Sequence, residues 1–138
     1  MSALICRKLV KVGSGASAHW DVDTSVRGPA AMLTGDAAIE QSVACELQLV
    51  LGEWFLDVSR GIPWFQQPNA SARTILGQFP ADLAYAESLI KAAVLRVPGV
   101  NSITFFSFAF DHATRSAIPT IKGTTVNGGT FAVSESVP

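Results

Sequence analysis

One stretch limits what this chain can become: Gly52-Glu53-Trp54-Phe55-Leu56-Asp57-Val58-Ser59-Arg60-Gly61-Ile62-Pro63-Trp64-Phe65. It follows a helix-like run, yet it holds four aromatic rings, two glycines and a proline within fourteen residues. Gly61 tolerates positive φ, and Pro63 fixes φ while lacking an N–H, so a helix cannot run through the segment. Its apolar groups need burial somewhere, which predicts an ordered, non-helical loop rather than a linker. Trp54 and Leu56 are expected to point inward. Ile62 to Phe65 are expected to face a partner at least in part, because aromatic side chains on ordered loops are typical interface anchors. Trp64, Phe65, Glu46 and Leu49 are the candidate partner contacts.

The run before this loop is the clearest helix. From Asp36 to about Leu51 the apolar positions Ile39, Val43, Leu47, Val50 and Trp54 recur at steps of four, four, three and four, the helical period. Thr34 or Asp36 is placed to cap its start, and Glu40 in the first turn suits the positive end of the helix dipole. No Lys or Arg falls between Asp36 and Leu51, so its polar face is acidic or neutral. A second helix is expected from about Ala81 to Val97. Leu83, Ala86, Leu89 or Ile90, Ala93, Val94 and Val97 mark its buried face, Glu87 and Lys91 form an i, i+4 pair, and Pro98-Gly99 ends it.

The flanks read as β. Leu4 to Val12 predicts a strand, Gly13-Ser14-Gly15 a turn, and Trp20 to Val22 a second short strand. Asp23 to Thr34 shows no clear period and reads as a loop or arm. Ser102 to Phe110 sets Thr104, Phe106, Phe108 and Phe110 on one face and Ile103, Phe105, Ser107 and Ala109 on the other. Neither face is polar, so this strand should be covered on both sides or by a partner. A turn at Asp111 to Arg115 leads to a strand over Ala117 to Val126, where Pro119 suggests an edge or a bulge. Asn127-Gly128-Gly129 signals a hairpin, with Thr130 to Val133 pairing back. The expected class is α+β: two main helices packed on a mostly antiparallel sheet with C-terminal β-hairpins. The 138 residues form one domain, residues 1–34 supplying a strand and arm and residues 35–138 the helices, aromatic loop and hairpins.

Charge narrows the function. Only 15% of residues are charged, against about 25% in a typical domain, which suggests a surface partly covered by partners. A net charge of −1 gives no electrostatic reason to bind nucleic acid or an anionic membrane. No apolar run reaches the roughly twenty residues of a membrane helix, and the order of basic and apolar residues before Val12 is wrong for a signal peptide. Production in the cytoplasm is therefore expected. Cys6 and Cys45, far apart and outside any CxxC spacing, suit a reduced setting as small buried hydrophobes.

Catalytic readings are weaker than structural ones. Glu53 and Asp57 are the one carboxylate pair that evokes a glycosidase, but no further substrate-binding pattern accompanies them. They are better read as acceptors of backbone N–H groups, or as partners of Arg60 or Arg73. His19 and His112 lack the converging ligands of a metal site or triad. The Phe-rich strand lacks the basic residues of an RNA-binding sheet. No cofactor is implied.

The motif Gly52-Glu53-Trp54-Phe55-Leu56-Asp57, then Gly61-Ile62-Pro63-Trp64 and Ile75-Leu76-Gly77, resembles the baseplate wedge proteins of contractile bacteriophage tails, the group that includes the sheath-initiating subunit. The resemblance spans about Gly35 to Val126. It departs at Val58, where proline is common, and at Trp64, where tyrosine is common. It implies a structural, non-enzymatic virion protein of the tail baseplate, assembled in the host cytoplasm. Its first helix would join a bundle with other wedge proteins, and its sheet edge would take strands from the first ring of tail sheath. Tail tube or hub proteins are further partner candidates. Some members of this tail group have carried a lysozyme label, so the alternatives are a peptidoglycan-cleaving enzyme using Glu53 and Asp57, and a generic intracellular adaptor.

Overall fold

The computed structural model describes residues 5–13, 19–65, 73–76, 82–111, 113 and 116–136. Short strands open the chain: β1 (Ile5–Arg7), β2 (Leu9–Val12) and β3 (His19–Val22). A 3₁₀ turn at Gly28–Ala31 leads to β4 (Met32–Thr34) and then α1 (Gly35–Gln48). After the aromatic loop come α2 (Leu83–Leu95), β5 (Val100–Asp111), β6 (Ser116–Thr125) and β7 (Thr130–Ser134). β5, β6 and β7 form an antiparallel sheet in that order, while β1 pairs with β4 and β2 with β3 in separate two-stranded ribbons. The fold is α+β, as the sequence predicts.

Both helices lie on the three-stranded sheet, α1 near β7 and α2 near β5. The core forms between them from Val43 and Leu47 of α1, Ile90 and Val94 of α2, and Ile121, Phe131 and Val133 of the sheet. Ile62 and Trp64 of the loop complete it. Asp36 does not cap α1. Its carboxylate accepts from Thr125 Oγ1 at 2.7 Å and Asn127 Nδ2 at 3.3 Å, and Thr34 makes no side-chain cap either. The helix start is thereby tied to the β6–β7 turn, which Thr125 N–H closes by donating to Gly129 O at 3.0 Å. In α2 the Asp82 side chain caps Tyr85 N–H at 3.0 Å, and Lys91 pairs with Glu87. Leu83, expected on the buried face, is exposed.

Four local expectations change. The expected strand Leu4 to Val12 breaks at Lys8, whose N–H donates to Ala31 O and whose carbonyl accepts from Asp23 N–H, sending β1 and β2 to different partners. The Asp23 to Thr34 arm holds the 3₁₀ turn and β4. In β5, register shifts lie between Val100 and Ser102 and between Ile103 and Phe105. The second inserts an extra residue at Thr104. Ile103 therefore packs on the core with Phe106 and Phe108, while Phe105 stays exposed under Lys122. Pro119 sits in the central strand rather than at an edge. Its carbonyl accepts from Glu135 N–H at 3.3 Å, so its missing N–H faces a position one residue past the end of β7, where no ladder bond is lost. The turn residues Ser14 and Gly15, Gly77, and His112, Thr114 and Arg115 lie outside the described residues.

Candidate functional site

The aromatic loop begins where α1 stops, three residues before the expected end. Leu49 turns extended (φ −73, ψ 120), and Val50 forms a parallel bridge with Ile62. Leu51 N–H donates to Ile62 O, and Ile62 N–H to Leu49 O, both at 2.9 Å. This closure depends on Gly61, whose φ is +111 and whose missing Cβ would lie 2.6 Å from the Val50 carbonyl carbon. Any larger residue would strike backbone that cannot yield. Between the closing bonds the chain makes three consecutive turns: Glu53 N–H to Val50 O, Asp57 N–H to Trp54 O, and Arg60 N–H to Asp57 O, at 3.0, 3.1 and 3.2 Å. Each is an i to i+3 bond.

The two carboxylates fix these turns, as the sequence suggests. Glu53 Oε2 accepts from Val50 N–H at 3.1 Å. Asp57 Oδ1 accepts from the Ser59 hydroxyl and from Ser59 N–H, an Asx turn. Those bonds, the hydroxyl first, hold the Asp57 carboxyl below its usual range. Arg60 bridges loop and helix: its guanidinium engages Glu46 and lies 5.4 Å from the Trp54 ring centroid. Arg73 instead pairs with Asp82. Glu46 is buried. One of its oxygens faces Arg60, and the other, 4.0 Å from Arg96, has no hydrogen-bond partner among the described residues.

The loop's two arms have opposite fates, and except at Phe65 each is the reverse of the expectation. On the outgoing arm Trp54 is 36% exposed, Phe55 84%, Leu56 69% and Val58 63%. Trp54 leaves the apolar stripe of α1 because the helix has already ended. On the returning arm Gly61, Ile62, Pro63 and Trp64 are buried, Trp64 completely. The Trp64 indole N–H donates to Leu47 O at 2.9 Å, satisfying a carbonyl of the last helical turn. Its ring stacks on Phe108 with centroids 6.2 Å apart and planes 7° apart. Ile75 N–H donates to Pro63 O and Leu76 N–H to Trp64 O, which explains how Ile75-Leu76 belongs to the same motif. Trp64 and Glu46, expected at a partner surface, thus lie inside the chain, Leu49 is half-buried, and Phe65 remains exposed.

The cysteines are less buried than expected. Both are free; Cys45 is exposed on α1, and Cys6 is half-buried with its sulfur accepting from Gln41 Nε2 at 3.2 Å. Desolvation pushes both thiols up. Among the described residues no group of three or more His, Cys, Asp or Glu is placed to hold a metal, and no helix is long and apolar enough to cross a membrane.

A hydrogen-bonded loop with an apolar tip, beside a small sheet whose β5 and β7 each have one outer edge without a paired strand among the described residues, is the anatomy of an assembly subunit. The sequence matches the family described as contractile injection system sheath initiator over residues 17–128, most of its length, and the chain belongs to that family. Among curated proteins none matches it. The resemblance read from the loop motif is borne out, and with it a structural role in a contractile injection system.

Proposed function

We propose that the protein is a baseplate wedge subunit of a contractile phage tail, carried in the virion, on which the first ring of sheath assembles. The observation that supports this reading most is the outgoing loop arm. Phe55, Leu56 and Val58 stand exposed on a segment held by three turn bonds and two carboxylates. Holding large apolar side chains in water gains nothing for the isolated chain. A pre-ordered apolar tip, however, loses little conformational freedom on docking, so it suits a permanent assembly contact. On this reading the tip and the end of α1 meet other wedge proteins, and a sheet edge receives a sheath strand.

Glu53 and Asp57 act here as loop-building groups, each bonded to the loop's own backbone. The low charge of the chain belongs to the same reading, since its surface is largely to be covered. The test is electron microscopy of tails assembled from the co-expressed tail genes. The protein should sit at the junction of baseplate and sheath, with residues 54–58 against a neighbouring wedge chain. Complete tails lacking the protein would contradict the reading. Loss of peptidoglycan cleavage in Glu53→Gln would replace it with an enzymatic one.

A further inference from the structure

Which edge of the sheet takes a strand can be argued from β7. Thr125 N–H donates to Gly129 O and Glu135 N–H to Pro119 O. With the register Gly123↔Phe131 and Ile121↔Val133 between these pairs, antiparallel alternation turns the N–H and C=O of Thr130, Ala132 and Ser134 away from β6. Ala132 N–H shows this directly: it meets only the Glu40 carboxylate, at 3.5 Å, the limit of a useful bond. This edge opens onto a groove of about 640 Å³ whose far walls are Glu40 and Gln41 of α1 and Lys8, Leu9 and Trp20 of the N-terminal ribbon. The indole N–H of Trp20 is buried and has no hydrogen-bond partner among the described residues.

The groove therefore presents the outward edge of β7. Outward groups on a strand repeat every second residue, about 6.8 Å apart, which matches another main chain and little else. Among the described residues Asp36, Glu40, Glu135 and Lys8 line the groove, and Lys8 is paired with Asp23 outside it. Glu135 is engaged by Lys11 and Gln48, and Asp36 by Thr125 and Asn127. Glu40 alone of the three carboxylates has only the long Ala132 contact. β5 offers a less regular template, because its two register shifts bend its first half.

We propose that the β7 groove receives an extended strand of the sheath subunit carrying a lysine or arginine, which pairs with Ala132 and Ser134 and sets its cation beside Glu40. This rests on the strand-addition reading above and names its edge. Ala132→Pro tests it, since the N–H it removes makes no bond to β6. The variant should melt within a few degrees of the parent and bind the co-expressed sheath subunit about tenfold more weakly, the effect of one lost ladder bond. Glu40→Lys should weaken binding in the same direction by repulsion, and it serves if Ala132→Pro fails to fold. In the assembled complex, amide exchange should slow at residues 130–135. Unchanged binding by both variants, or slowing at residues 105–110 instead, would overturn the choice of β7 while leaving strand addition intact. Binding with no new protection at either edge would discard strand addition itself.

Discussion

The two arms of the aromatic loop are built from the same kinds of residue and do opposite things. The arm from Trp54 to Val58 leaves its apolar groups in water, whereas the arm from Gly61 to Trp64 fills the core. Composition does not separate them, for each contains a tryptophan and at least one aliphatic side chain. What separates them is pairing. The returning arm is held on one side by Val50 and on the other by Ile75 and Leu76, with its indole on the Leu47 carbonyl. Among the described residues the hydrogen bonds of the outgoing arm stay within the loop, to Ser59 and Arg60. A loop can thus be ordered throughout while only half of it stabilises the domain, and the other half is available to a neighbour.

The comparison breaks most visibly at Trp64. Trp64→Ala should cost about 3 to 5 kcal/mol of stability, the range for a large aromatic removed from a packed core, because it empties the space beside Phe108 and strands the Leu47 carbonyl. Urea denaturation measures this. A midpoint near that of the parent would show that Trp64 is not core.

Gly61→Ala should cost about 1 to 3 kcal/mol by forcing positive φ and a backbone collision on a non-glycine residue. The loss should appear in both thermal and urea unfolding. Phe55→Ala sharpens the contrast from the other side. With its ring mostly in solvent, it should shift stability by no more than about 0.5 kcal/mol, and a larger loss would mean that the tip supports the fold.

Acid should produce the smallest effect. The carboxyls of Asp57, Asp23 and Asp82 are held below their usual value of 3.8 by hydrogen bonds to Ser59, Ser25 and Tyr85. A depressed folded-state pKa contributes stability that is present above 3.8 and is lost as pH falls through the lower folded values. A melting temperature that rises below pH 4 would contradict these bonds, and Asp57→Asn should flatten part of the decline.

The sequence made some of this readable because some of it is local. The repeat Ile39, Val43, Leu47 lies on one helix, and the interior of α1 follows from it. Asn127-Gly128-Gly129 announces its hairpin in the same way, and the motif of the loop carries the family. The misreadings arose where a distant partner decides. Val50 and Trp54 continue the helical period, yet the chain leaves the helix at Leu49 because Val50 pairs with Ile62, twelve positions away. Whether Trp54 or Trp64 is buried depends on Leu47 and Phe108, which no local pattern names. A single inserted residue at Thr104 moved Ile103 to the other face of β5, and the end of β7 made Pro119 tolerable in a central strand. The groove beside β7 joins four segments spread along the chain, so it exists only in the folded structure.

The central claim is that the outgoing arm serves assembly and not the fold. The most direct measurement is electron microscopy of tails made with the double variant Phe55→Ser, Leu56→Ser, after its melting curve has been recorded. The variant should melt like the parent yet be missing from the baseplate, leaving tails without ordered sheath. Full-length sheathed tails containing the variant at its normal position would show that the exposed arm is not the anchor.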